Sequence, residues 1–516
     1  MAIRSARGLV RLAGKLSRIK SIESILAEEP EAGRGLRRVL GPGDLTLLGV
    51  GAIVGAGIFA LVGTAAAGDA NRPGAGPAIM LSFALTGAAC LFTALCYAEF
   101  ASLVPISGSA YTYAYATLGE IVAWIIGWDL VLEYAVGNIA VAVSWSGYFC
   151  ELLRGFEIEF PRYLACDLRT ALATPEILAA APRVFGIPIV FNVPAVAIVT
   201  AITLLLVVGI KESVWFNAVM VGIKLLVLGF FVVVGVSYVK PENWSPFAPN
   251  GWAGVHAGAA MVFFAFIGFD AVSTAAEECR NPRRDMPIGI LGSLLICTVI
   301  YVVVAAVLTG MIPSDQLNTA EPLSVAMRVV KKDWAAGIVA FGSVVAHTAV
   351  LLVFQLGQPR ILLSMARDGL LPAPLAKTHR RFKTPHVATI LTGVFVAVGS
   401  ALASLDEMAD LCNIGTLSAF LIVCIGIALL RWREPDRPRA FRTPWVPLVP
   451  ILGVAACLYL MFGLPAIAWR RFAVWLVIGL GLYAAYGSRR SRLSRPRIGG
   501  RGGETEERGP REAQSQ

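Results

Sequence analysis

Three ionisable side chains stand inside runs of apolar residues: Glu133 in GWDLVLEYAVGNIA, Lys224 in NAVMVGIKLLVLGF and Asp270 in FFAFIGFDAVSTAAEE. A charge at the centre of a bilayer costs about 2.5–3.5 kcal/mol on insertion scales, so such residues line a cavity or pair with one another. A backbone signal stands beside them. Residues 49–63 read GVGAIVGAGIFALVG, with glycine at 49, 51, 55, 57 and 63. Each glycine inside a helix costs about 0.5–1 kcal/mol relative to alanine. A membrane-crossing helix satisfies its whole backbone internally and offers none of it to a polar solute. Breaking the helix frees N–H groups at the start of the second half, where the dipole also favours an anion.

Gly55-Ala56-Gly57 would therefore suit a carboxylate. A second interruption at Phe264-Ala265-Phe266-Ile267-Gly268, just before Asp270, would leave carbonyls free, which suits an ammonium. One anion hole beside one carbonyl cluster fits an α-amino acid. The competing reading of the first run is close helix packing, because Gly51 and Gly55 form GxxxG. Lys224 has no acid within a helical turn, and a lysine taken out of water can lose and regain its proton during a cycle. Its alternative is to snorkel to an interface. Glu133 could face the solute or pair with Lys224; Asp270 could cap the second half of its span. Glu99 and Glu277-Glu278 lie nearer span ends, where a structural or gating part is the default.

These residues need membrane spans to position them. Of 516 residues 57% are hydrophobic and 15% charged, against about a quarter charged in soluble proteins. Twelve apolar blocks of spanning length fall at 44–68, 76–104, 118–150, 188–209, 214–238, 255–277, 288–311, 335–364, 386–404, 408–430, 446–468 and 471–487. The last two are separated by a turn near Trp469-Arg470-Arg471. The two interruptions lie five spans apart, and an odd offset places the two halves in opposite orientations. Paired interrupted spans of this kind point to a transporter site.

The net charge of +10 is an orientation signal and not a nucleic-acid patch. With both termini on one side, 32 of the 44 Lys and Arg fall on that side and 11 on the other, the positive-inside bias. This places both termini in the cytoplasm. Residues 1–28 read as a basic amphipathic helix, with Leu9, Leu12, Leu16 and Ile19 opposite Arg4, Arg7, Arg11, Lys15 and Arg18; it lies on an anionic membrane surface or is merely solvated. The domain limits that follow are a basic segment over 1–40, a membrane domain over 41–488 and a disordered tail over 489–516. A loop of roughly 35 residues between spans three and four is long enough for small helices and carries no chemistry.

Four dispersed histidines (His256, His347, His379, His386) have no metal-ligand spacing, and the nine cysteines form no CxxC pair; Cys150 and Cys166 could pair or remain free. With no Walker loop and no nucleophile elbow, neither a cofactor nor an enzyme activity is expected.

Five stretches carry a resemblance: GVGAIVGAGIFALVG (49–63), CYAEFASLVPISGSAYTY (96–113), GWDLVLEYAVG (127–137), FFAFIGFDAVSTAAEE (263–278) and QPRILLSMARDGLLP (358–372). In this order they resemble the amino acid–polyamine–organocation superfamily, in particular the bacterial type of its cationic amino acid transporter branch. The resemblance implies an all-α polytopic membrane protein of a leucine-transporter type. That is a five-plus-five inverted repeat with broken helices 1 and 6 and two further C-terminal spans. It implies a substrate carboxylate on the amides of Gly55, Ala56 and Gly57 with Ile58 close by. It implies an amine on the carbonyls of Phe264, Ala265 and Ile267, with Phe264 as a gate. Lys224 would occupy the place where sodium-coupled relatives hold a cation, which implies proton coupling. Glu133 would take part in side-chain recognition, with Asp270 and Gly137 accessory. Ala56, threonine in some relatives, bears on the preference for cationic substrates.

The expected function is proton-coupled symport of L-amino acids, cationic or small neutral, across a bacterial inner membrane. An exchanger of cationic amino acids, a non-transporting receptor and a channel are the alternatives. Expected partners are an amino acid, protons and the bilayer; a small membrane partner leaves no readable mark.

Overall fold

The computed structural model describes residues 39–70, 72–103, 109–209 and 214–494. The amphipathic helix expected over 1–28 lies outside the described residues, as does the tail from 495 onward. Among the described residues eight helices are long and apolar enough to cross a membrane, and a bent pair makes up to nine. Three shorter apolar helices complete the set: Val193–Val208, His386–Leu402 and Leu448–Phe462.

The first span is α1 (Pro42–Ile53), a break at Val54-Gly55, a π-turn over Gly57–Leu61 and α2 (Val62–Ala67). Its two halves meet at 46°. Then follow α3 (Ile79–Leu103), α4 (Glu120–Val131) and α5 (Gly137–Arg154), the last two joined by a π-turn over Leu132–Val136. Next come α6 (Val193–Val208), α7 (Val214–Gly235) and α8 (Gly251–Val262). The apolar run of α8 does not continue as α-helix. A 3-10 turn over Phe263–Phe266 leads to an extended Ile267, and a second 3-10 stretch spans Asp270–Glu278. The remaining helices are α9 (Pro282–Met311), α10 (Asp333–Arg367), α11 (His386–Leu402), α12 (Leu405–Arg433), α13 (Leu448–Phe462) and α14 (Ala466–Leu482).

Packing sets α9 against α3 and α1, α10 against α5 and α7, α11 against α6, and α13 against α12. The turn between the last two spans falls at Gly463–Pro465, not at Trp469–Arg471. Proline stops a helix from continuing through it, whereas Arg471 stays helical because Glu407 takes its guanidinium at 2.7 Å. Residues 489–494, placed in the tail by the sequence, carry a helical turn that begins at Ser488 and a 3-10 turn over Arg492–Ser494, and Ser491 donates to Glu120 at 2.5 Å.

Two ionic clusters fix the helix ends. Buried Glu99 receives Arg431 at 2.8 and 3.0 Å and the Thr443 amide at 2.8 Å. Arg72, in the loop after the first span, binds Asp410 of α12 in two-pronged fashion at 2.9 Å on each arm and Asp69 at 2.8 Å. Removing one partner of a buried pair leaves an uncompensated charge and costs about 3–5 kcal/mol. Arg72→Leu is therefore expected to lower the thermal unfolding temperature clearly, whereas Arg72→Leu combined with Asp410→Leu restores part of the loss.

The entry to α1 and the end of the sixth span share a short backbone ladder. Val39 and Leu40 donate to the Glu278 carbonyl at 2.9 and 3.0 Å, and Arg280 donates back to Leu40 at 2.9 Å.

Candidate functional site

Both expected interruptions are present, and they touch. Val54 closes α1 by donating to Val50 at 3.0 Å, and helical bonding resumes only with Ile58 and Phe59, which donate to Gly55 at 3.2 and 3.3 Å. The amides of Gly55, Ala56 and Gly57 thus stand in the first turn of the second half, where a helix has no internal acceptors for them. At the second break Gly268 takes φ of 115°, a left-handed value that favours glycine. A Cβ on Gly268 would lie 2.9 Å from the Ala52 carbonyl oxygen. A Cβ on Gly57 would lie 2.2 Å from Ala265 Cα. The clearance that glycine leaves at Gly57 is filled by the other break, so the packing and solute readings of this run are not exclusive. Gly55 likewise faces Val350.

The carbonyls freed at the end of α1 have recipients. Lys224, buried in α7, donates to Gly51 at 2.5 Å and to Val54 at 3.0 Å. It neither snorkels nor pairs with Glu133: its ammonium hydrogens are taken by carbonyls that the broken helix cannot satisfy itself. Tyr301 of α9 lies within bonding distance of two carbonyls, Ile53 at 3.0 Å and Ala265 at 2.9 Å, one from each break. A phenol has one proton, so it serves one of the two at a time. Ala265 keeps a second lone pair. Phe264 accepts only a long bond from Ile267, 3.4 Å, and Asn413 of α12 holds the Ala260 and Met261 carbonyls at 3.0 and 3.2 Å.

Glu133 and Asp270 are brought together, which the sequence did not indicate. Their carboxyl groups are neighbours in the interior, and none of their four oxygens makes a hydrogen bond of ordinary geometry. Asp270 also stands near the amides of Gly268 and Ala271, but it does not take the capping part expected for it: Phe269 is the N-cap residue of the second 3-10 stretch, and no side chain caps it. Among the described residues, no carboxylate lies on the amides of Gly55, Ala56 and Gly57. Glu133 sits on the π-turn between α4 and α5; such turns re-aim side chains and recur at functional sites. Gly137, one turn on, fits against Cys412 and Phe354, whose nearest atoms would lie 3.1 and 3.4 Å from its Cβ. Ile58 and Phe264 are buried on either side of the contact.

Several contributors were missed. Tyr301, Asn413 and Tyr148, whose hydroxyl binds the Phe59 carbonyl at 2.5 Å, are polar residues within spans and carry no charge of their own. Asp129 is a further buried acid inside a span, accepting from Ser418 at 2.9 Å. Its position in the quoted GWDLVLEY run was the available signal. Cys150 and Cys166 are free thiols, and no cluster of metal-binding side chains occurs among the described residues.

A family model described as amino acid permease matches residues 40–482. The chain is 48% identical over 482 residues to the branched-chain amino acid permease of Bacillus subtilis, covering 93% of this chain and 99% of that one. It is 44% identical over 480 residues to the methylthioribose transporter of the same organism, with coverage of 93% and 99%. Similarity to the human cationic amino acid transporter 4 is 36% over 436 residues, 83% of this chain and 65% of the human one.

Proposed function

The chain belongs to the amino acid permease family, and from that premise we propose that it is a proton-coupled symporter of L-amino acids working by alternating access. The observation that carries the proposal is the meeting of two broken spans, with a lysine on the carbonyls that one of them frees. In this reading the substrate carboxylate takes the amides of Gly55, Ala56 and Gly57 beside Ile58. Its amine takes the carbonyls of Phe264, Ala265 and Ile267, and the Phe264 ring closes over it. A proton on Lys224 holds Gly51 and Val54 in place, and its departure releases the first break. Glu133, with Asp270 and Gly137 accessory, meets the substrate side chain.

Counting the bent pair as one span and adding the three shorter helices gives twelve spans, with both termini cytoplasmic in a bacterial inner membrane. Support for the five-plus-five repeat comes from packing. The second span meets the seventh, the third the eighth and the fourth the ninth, and the first and sixth meet at their breaks. Each is paired with its expected counterpart five spans on.

The relatives carry names for branched-chain amino acids, methylthioribose and cationic amino acids. The adjoining Glu133 and Asp270, which no cation of the described residues neutralises, favour a cationic side chain; Ile58, Phe264 and Phe354 favour an apolar one. Uptake into sodium-free proteoliposomes separates these, using labelled alanine, leucine, arginine, lysine and methylthioribose with and without an inward proton gradient. We expect gradient-driven accumulation of at least one amino acid. Uptake only against preloaded amino acid, indifferent to the gradient, overturns symport in favour of an exchanger.

A further inference from the structure

The loop joining α5 to α6 carries an apolar face that none of the described residues covers. Its two short strands, Arg183–Val184 and Ile187–Pro188, pair antiparallel. The two-residue turn between them is Phe185-Gly186, with φ of 51° and 81°. A turn with both residues left-handed prefers asparagine, aspartate or glycine, because this backbone crowds a Cβ. Phenylalanine is held there against that preference, and its side chain is 99% exposed. An outlier of this kind directs attention to what the side chain does.

From Ile187 the chain runs on toward α6 with alternate side chains sharing a face. Exposure is 70% at Ile187, 42% at Ile189, 41% at Phe191 and 38% at Val193, the first residue of α6, and Phe185 at the tip of the turn is 99% exposed. The intervening positions turn inward: Pro188 and Val190 are half-buried, and Asn192 is buried, accepting the Ala195 amide to cap α6. The stripe therefore continues without interruption onto the outer surface of α6, an apolar helix that exposes Leu204, Leu205 and Val208. Scattered apolar residues on a surface are ordinary, but a continuous apolar patch marks an interaction site. At the far end of the stripe Arg183 is exposed, with no ion pair or side-chain hydrogen bond among the described residues.

We propose that this hairpin is a foot on the bilayer. Phe185 and Ile187 enter the boundary between headgroups and acyl chains of the leaflet facing the loop, and Arg183 binds a lipid phosphate. The occupant is lipid and not a protein partner because the stripe is continuous with the exposed apolar face of α6, which the twelve-span arrangement turns toward the bilayer. Phenylalanine and aliphatic side chains of interfacial segments bury at the boundary of headgroups and acyl chains, and a guanidinium suits phosphate. The inference does not depend on what the protein transports.

The test places spin labels at Phe185→Cys and Ile187→Cys in a Cys150→Ser, Cys166→Ser background reconstituted in liposomes. Glu159→Cys, an exposed position in the same loop, serves as the reference. Collision with oxygen, which concentrates in lipid, is compared with collision with a water-soluble nickel chelate. We expect oxygen to dominate at 185 and 187 and the chelate at 159. Chelate access at all three sites overturns the proposal, and protection from both reagents at 185 and 187 overturns it in favour of a protein contact. Ile187 lies outside the turn, so its reading holds even if the label disturbs the turn at Phe185.

Discussion

Alanine in place of Gly57 is expected to abolish uptake. The added Cβ would lie 2.2 Å from Ala265 Cα and 2.4 Å from Ala265 Cβ. The nearest of these is a backbone atom, so no rotamer change relieves the clash; one broken span must move away from the other by about an ångström, and overpacking of this kind costs about 1–3 kcal/mol. The larger effect is on the site, because carbonyls and amides displaced by that distance no longer converge on one solute, and a 1 Å misplacement costs on the order of a hundredfold in rate. Gly222→Ala is the control, since nothing lies within 4 Å of a Cβ there. Initial uptake rates and thermal unfolding are measured on both variants. A folded Gly57→Ala protein that transports at the wild-type rate would remove the contact between the breaks from the mechanism.

The second large effect is expected at Lys224. Methionine keeps the length and most of the volume of the side chain but leaves the Gly51 and Val54 carbonyls without the donor that reaches them at 2.5 and 3.0 Å. Each unsatisfied buried acceptor costs about 1–3 kcal/mol, and a side chain that cannot carry a proton cannot answer a proton gradient. Gradient-driven accumulation by Lys224→Met should fall to background, while exchange of external against internal substrate continues. Accumulation that still follows the gradient would show that the proton is carried elsewhere, with the adjoining Glu133 and Asp270 the first place to look.

The two breaks were legible because glycine and a lone acid are conspicuous inside apolar runs. Lys224 was legible for the same reason, but its acceptors were not. Backbone carbonyls leave no mark in a sequence, and an acid elsewhere in the membrane, Glu133, looked the natural partner. The meeting of Glu133 with Asp270 depends on how α4, α5 and the sixth span cross, which no local pattern encodes. Tyr301 was invisible in ICTVIYVVV because its acceptors belong to Ile53 and Ala265, far away along the chain. The π-turn under Glu133 has no proline or glycine to announce it before Gly137. The last turn was misplaced because Arg470-Arg471 looked like a loop, whereas Arg471 is neutralised by Glu407, some sixty residues earlier. The hairpin at Phe185 escaped because Phe-Gly is not a usual turn pair.

The ladder that ties Val39 and Leu40 to Glu278 and Arg280 bears on how the molecule opens. These bonds join the entry of the first broken span to the exit of the sixth. In the proposed alternating-access cycle they couple the two segments, so that a displacement of one is transmitted to the other. Separating them breaks three backbone hydrogen bonds, at about 0.5–1.5 kcal/mol each, which favours a joint hinge motion over two independent ones.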